Sequence, residues 1–229
     1  MVKNHLKRIM MPKTWKVARK VNTFVSRPMP GAHKLELAVS INTFLKEMTG
    51  LTRTTKETKY LLKYDELLVN GARRRDEKQQ VGFLDIVSLP KHKKAFIISI
   101  NKKSKLIAKE IDTKVSQTVL KVTGKTVIPG GKIQINTVNG VNILAGKESK
   151  DYKIGDSLLF DISSKKIKEH LPRKEGAAVF IFTGKHAGKT GELVKIDSGV
   201  AQIKADKETF ETHKEYVIVI GKKKPVIDL

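Results

Sequence analysis

The chain has 229 residues and carries 46 Lys and Arg against 23 Asp and Glu, a formal charge of +23 at pH 7. An excess of that size repels itself in a compact state, so a polyanionic partner is expected, and nucleic acid fits better than an anionic membrane surface. The absence of cysteine excludes disulfides, thiolate metal sites and cysteine nucleophiles, and it fits a reducing cytoplasm. The apolar runs at 95–100, 177–182 and 216–220 have the length of buried strands, too short for a membrane-spanning helix. No apolar stretch follows the charged N-terminus, so no secretory leader is expected. The histidines are scattered, with no His-x-His or His-Glu-x-x-His pair to hold a metal.

Residues 1–34 contain no Asp or Glu. They carry Lys3, Lys7, Arg8, Lys13, Lys16, Arg19, Lys20, Arg27 and Lys34, with His33 beside the last and Trp15 and Phe24 interleaved. Pro12, Pro28 and Pro30-Gly31 break any long helix. So basic a segment is short of apolar surface, and the expectation for residues 1–37 is an arm that orders on its partner, with a base or ribose stacking on Trp15. The bland alternative is a solubilising tail.

From Ala38 the pattern changes. Ala38, Ile41, Phe44, Leu45 and Met48 recur at helical spacing and predict a helix that Gly50 ends. Thr54-x-x-Glu57 is a capping box opening a second helix that carries Leu61 and Leu62. Arg53, Lys56, Lys59 and Lys63 fall at steps of three, three and four and line one face of it. A charged helix face is ordinarily just solvated. Here only the capping Glu57 interrupts the positive charge.

Leu67-Leu68-Val69-Asn70-Gly71-Ala72-Arg73-Arg74-Arg75 follows, an apolar strand running into Asn-Gly, the strongest short hairpin signal. Alternation puts Arg73 and Arg75 on one face and Arg74 on the other. Val81-Gly82-Phe83-Leu84-Asp85 leads into a strand at 86–89 that Pro90 stops, and Asp85 reads as a turn residue. The order helix, helix, Val-Asn-Gly-x-Arg hairpin, Val-Gly-x-x-Asp resembles the small RNA-binding module named after bacterial ribosomal protein four. That resemblance implies RNA contact by Arg53, Lys56, Lys59, Lys63, Arg73 and Arg75. The module also occurs in pseudouridine synthases and tyrosyl-tRNA synthetases, so alone it implies RNA and not the ribosome.

Beyond the basic run Lys91-His92-Lys93-Lys94, helix signals nearly vanish. Strand-like segments occur at 95–100, 106–111, 118–123, 132–137, 141–144, 157–162, 177–182, 192–196, 200–205 and 215–220. Turn signals such as Pro129-Gly130-Gly131, Asn139-Gly140 and Gly155-Asp156 separate many of them, which argues for two small β-barrels with a boundary near Leu171-Pro172. Gly188-Lys189-Thr190 suggests a nucleotide-binding P-loop, but Thr183 stands where the first glycine belongs, and a strand pattern follows where a helix must open. No nucleotide is expected. Gly176-x-x-Val179-x-Ile181-x-x-Gly184-x-x-x-Gly188-x-x-Gly191-x-Leu193 instead resembles the KOW motif, an SH3-like segment of ribosomal proteins and elongation factors. Its glycines permit positive φ and close approach of backbone amides to a ribose-phosphate chain, with charge from Lys185, His186 and Lys189. Alternatively the glycines only shape a tight corner.

Taken together, the fold class is α+β, mostly β: an arm at 1–37, the RNA-binding module at 38–94, a central β-barrel at 95–172 and a KOW domain at 173–229. His5-Leu6-Lys7-Arg8, Pro12-Lys13-x-Trp15 and Arg27-Pro28-x-Pro30-Gly31-x-His33-Lys34-Leu35 open a similarity that runs on through Gly130-Gly131-Lys132-x-Gln134, Asp151-Tyr152-Lys153-x-Gly155-Asp156 and the glycine loop. The chain is thereby similar to the archaeal/eukaryotic-type small-subunit ribosomal protein four family, at archaeal length. The resemblance implies a structural protein without cofactor, bound to 16S-type rRNA and neighbouring small-subunit proteins. Val138-Asn139-Gly140-Val141-Asn142 departs from the family's usual His-Asp-Gly-Arg-Asn, so a basic contact is missing there. The site expected in the arm comprises Lys7, Arg8, Trp15, Lys16, Arg19, Lys20, Arg27, His33 and Lys34, and in the glycine loop Lys185, His186, Gly188 and Lys189. Two rivals stand beside this reading. An RNA-modifying enzyme would need paired carboxylates or the Gly-Arg-Leu-Asp motif of the pseudouridine synthases, and the chain offers neither. A KOW-type transcription or translation factor would bind RNA by the same chemistry but transiently.

Overall fold

The computed structural model describes residues 4–113, 115–145, 151–197, 199–205 and 208–227; Lys3 lies outside them. The chain forms two compact units, one of residues 1–99 and 105–116, the other of residues 100–104 and 117–229.

In the first unit the hairpin strands Leu68–Val69 and Ala72–Arg73 begin a five-stranded sheet. Asn70 and Gly71 take φ of 48° and 73°, the paired left-handed conformation that Asn-Gly signals. Ile86–Leu89 pairs with Leu68–Val69, and Lys94–Ile100 and Leu106–Ile111 complete the sheet. These last two strands are where the sequence pattern places the start of a central domain. The predicted first helix begins late. Ala38–Ser40 is a strand paired antiparallel with Gln80–Gly82, and helix starts only at Ile41, tightly at first and then as a wider turn over Phe44–Met48. Ser40 caps it by accepting from the Thr43 amide at 3.2 Å, and Gly50 at φ 67° ends it. The second helix, Thr55–Tyr64, is capped as predicted. Thr54 Oγ1 accepts from the Glu57 amide at 3.2 Å, and Glu57 accepts from the Arg53 amide at 2.7 Å. Ile41, Phe44, Leu45, Leu61, Leu62, Val87 and Ile98 are among the buried residues of this unit, with Phe44 edge-on to Phe96 at 5.9 Å.

The second unit holds two antiparallel sheets. One runs in the order Asn142–Ala145, Lys132–Thr137, Gln117–Ile128, Ser157–Asp161, Lys166–Leu171. The other runs Glu208–His213, Val200–Ala205, Thr190–Asp197, Ala178–Ile181, Val217–Gly221. Among the described residues no pairing joins the two edge strands of either sheet, so both are open where closed barrels are expected from the sequence. Val122, Ile135, Tyr152 and Leu158 form the core on the first sheet. Val179, Ile181, Leu193, Ile203, Val217 and Val219 form that of the second, and Leu171 from the first sheet's edge joins it. Polar ties add to this: the Val219 amide donates to Ser157 Oγ at 3.1 Å, and Lys121 Nζ to the Glu215 carbonyl at 2.6 Å. Asp156 sits under the turn at Gly155. Burial pushes its carboxyl up, but the Arg173 and Lys153 amides and the His170 ring outweigh that, leaving it below the usual carboxylate range.

Candidate nucleic-acid interface

The arm departs most from expectation. Leu6–Lys7 pairs with Phe24–Val25, and the segment between them folds onto the first unit instead of waiting for a partner. Trp15 is 1% exposed; its indole N–H donates to the Leu35 carbonyl at 3.1 Å, and its backbone bridges to Leu106. The ring expected to stack on a base is enclosed by the protein. Arg8 is 4% exposed, paired with Glu47 and donating to the Ala18 and Phe24 carbonyls, so its guanidinium is engaged within the chain. The side chain of His33 is buried against Asp85, with Nε2 2.8 Å from Oδ2. His33 gives its ring to a carboxylate, whereas Trp15 and Arg8 follow one rule: an arm with few apolar residues spends them at anchor points and uses planar polar groups to satisfy the carbonyls of an irregular backbone. Arg19, half-buried, bonds the Ile9, Met11 and Pro12 carbonyls in the same way. Lys7, Lys16, Lys20 and Lys34 are exposed, and Arg27 is half-buried.

The second helix turns its basic side chains to solvent. Lys56, Lys59 and Lys63 project from its solvent side, and Arg53 is exposed just before its cap. Arg73 brings the hairpin to the helix's end, its guanidinium 3.5 Å from the Lys63 carbonyl, and Arg75 beyond it is exposed. Two carboxylates approach this group, Glu77 at 3.4 Å from Lys59 and Glu66 at 3.7 Å from Arg73. Sequence reasoning passed over Tyr60 and Tyr64, which share this face. Their signal was spacing, since each follows a lysine directly and the two are four apart, on the side away from Leu61 and Leu62.

In the glycine loop Gly184 and Gly188 have φ of 90° and 80°. What approaches Gly188 is the protein itself. A Cβ there would lie 2.2 Å from the Asn101 carbonyl group, so the space assigned to a ribose-phosphate chain is filled. His186 stacks on Phe210 at 4.4 Å and Lys189 lies 5.1 Å from the same ring, while Lys185 is exposed. The segment after Lys189 is the strand Thr190–Asp197, not the helix that a P-loop needs. No helix among the described residues is long and apolar enough to cross a membrane.

The folded chain is thus a small, strongly basic, mostly β protein with exposed lysines and arginines clustered on one helix and its neighbouring hairpin. Residues 2–36 match the family model RS4NT (NUC023) domain, and residues 92–167 match Ribosomal family S4e. A small ribosomal subunit protein eS4 from Archaeoglobus fulgidus is 37% identical over all of this chain and 99% of its own length. One from Methanosphaera stadtmanae is 36% identical, over 99% of this chain and 96% of its own. The crystal structure of the 30S ribosomal protein S4e from Thermoplasma acidophilum superposes with a TM-score of 0.67 at 27% identity, covering 81% of this chain and 95% of that one. The chain belongs to the S4e family of ribosomal proteins.

Proposed function

We propose that this protein is a resident structural constituent of the small subunit of cytoplasmic ribosomes, and that it organises 16S-type rRNA by charge and shape. The family is structural and not enzymatic. The observation that carries the RNA-binding surface is the exposed face of Thr55–Tyr64 with the hairpin arginines beside it. Lysines and arginines so placed neutralise phosphates and release counterions, which fixes RNA in position without reading its sequence. Lys7, Lys16, Lys20 and Lys34 on the arm and Lys185 in the glycine loop extend the contact to other stretches of rRNA, and neighbouring subunit proteins cover part of the remaining surface. Residues 173–229 serve as a KOW-type domain; the positive φ at Gly176, Gly184 and Gly188 and the five-stranded order of its sheet support that reading.

Sedimentation of cell lysate through sucrose tests the proposal. The protein is expected to travel with small subunits at physiological salt and mostly to survive a moderate salt wash. Recovery in the soluble top fractions alone would favour a transient KOW-type factor.

A further inference from the structure

The solvent face of Thr55–Tyr64 is not uniformly charged. Lys56, Lys59, Tyr60, Lys63 and Tyr64 occupy one stripe, about 140° wide at 100° per residue, while Thr58, Leu61 and Leu62 are buried on the opposite side. Tyr60 is 65% exposed and Tyr64 53%. Their ring centroids lie 4.5 Å apart with the planes inclined by 40°, and Lys63 Nζ sits 5.2 Å from the Tyr64 centroid. Two adjoining aromatic rings left in water on a lysine-rich helix are costly to solvate and contribute nothing visible to the core.

We propose that Tyr60 and Tyr64 form a stacking platform for an unpaired RNA base, with Lys56, Lys59, Lys63 and Arg73 holding the phosphates on either side. This rests on the reading of the helix as an RNA-binding face and narrows it. A continuous duplex hides its base faces and offers only grooves and backbone, so the RNA met here carries a bulge, a loop or a helix end. Stacking accepts any base, so the platform selects exposure and not sequence. Charge favours RNA over a protein as the occupant, because the four cations outnumber the two carboxylates, Glu66 and Glu77, that approach them.

The test uses the full chain and two hairpin RNAs, one with a single bulged 2-aminopurine and one fully paired. The wild type is expected to prefer the bulged hairpin by about tenfold, the order that one stacked base supplies, and to quench the 2-aminopurine fluorescence on binding. The double variant Tyr60→Leu, Tyr64→Leu is expected to lose both the preference and the quenching. It should keep the wild-type melting temperature, salt dependence and affinity for the paired hairpin. Lys56→Gln with Lys63→Gln is expected to weaken both complexes alike. A bulge preference that survives the tyrosine changes overturns the platform, as does an equal loss on both RNAs. Tyrosine variants that bind both RNAs normally but fail to enter small subunits overturn it in favour of a protein partner. Salt-dependent binding of both hairpins with equal affinity removes the platform alone, whereas salt-independent or absent binding of either removes the RNA-binding reading of the face itself.

Discussion

Asp85 holds three donors at once: His33 Nε2, Asn70 Nδ2 and the Gly82 amide, each at 2.8 Å. Asn70 returns the favour to the backbone by accepting from the Ile86 amide at 2.9 Å, so one carboxylate ties the arm, the hairpin turn and two strands together. Asp85→Ala would leave those donors buried and unpaired. A loss of about 3 kcal/mol is expected in urea unfolding, and a loss under about 1 kcal/mol would show that the hub is dispensable. The sequence marks Asp85 as a turn residue because its partner His33 lies far away in a segment with no periodicity to place it. Gly82 was no clearer, although a Cβ there would strike the His33 ring. Lys121 is a second such residue. It is 5% exposed, and burial, reinforced by the Arg173 charge and opposed by Glu215, brings its pKa from 10.5 to about 8. The unfolded chain therefore binds this proton more tightly between those two values, so the contribution of Lys121 to stability rises with pH from about 8 to about 10.5 and is flat below. Relative to Lys121→Met, the wild type should gain about 2 kcal/mol in unfolding free energy between pH 7 and pH 10. Parallel pH profiles for the two proteins would place the ammonium in solvent.

At the scale of single elements, local signals proved reliable where one residue type answers one backbone need. The capping box at Thr54 and Glu57 is such a case. Hydrogen bonds from the Arg53 amide and the Thr54 hydroxyl lower the Glu57 pKa, and Thr54→Ala should cost about 1 kcal/mol of stability. The Asn70-Gly71 turn is another. Periodicity alone did less well. Ala38, Ile41 and Phe44 share a helical spacing, yet Ala38–Ser40 pairs as a strand because Gln80–Gly82 offers it a ladder that no local pattern announces. The strands Lys166–Leu171 and Glu208–His213 escaped notice because both are sheet edges, where charged residues replace apolar ones. For the glycine loop, the positive φ was legible and its neighbour was not. With Asn101 against it, Gly188→Ala should cost about 2 kcal/mol or more by strain and displacement. Lys189→Gln, which removes only a cation near the Phe210 ring, should cost less than about 1 kcal/mol. Thermal melts of the two variants check this order, and an unchanged melt for Gly188→Ala would reopen the loop to an RNA backbone.

For the whole molecule, the charge of +23 points to a polyanionic partner before any element is placed, and the run of short strands announces the mostly β fold. Which cations face that partner was less legible, because an arginine serves equally well to bind phosphate or to satisfy buried carbonyls, and only tertiary contacts separate the two uses. Arg8 and Arg19 went to the protein; Lys56, Lys59, Lys63 and Arg73 remained at the surface. Salt dependence separates these groups in solution. Each phosphate contact contributes roughly 0.7 to 0.9 to the slope of log affinity against log salt. Lys56→Gln with Lys63→Gln should therefore flatten the slope for small-subunit rRNA by about 1.5, with stability changed by less than about 0.5 kcal/mol because both side chains are exposed. Arg8→Gln should do the reverse: it breaks the buried pair with Glu47 and costs about 3 kcal/mol of stability, while the slope for the remaining folded protein stays as it was. If the lysine changes leave the slope untouched, this helix face is merely solvated and the arm lysines must carry the RNA; if Arg8→Gln flattens it, the buried arginine reaches phosphate after all.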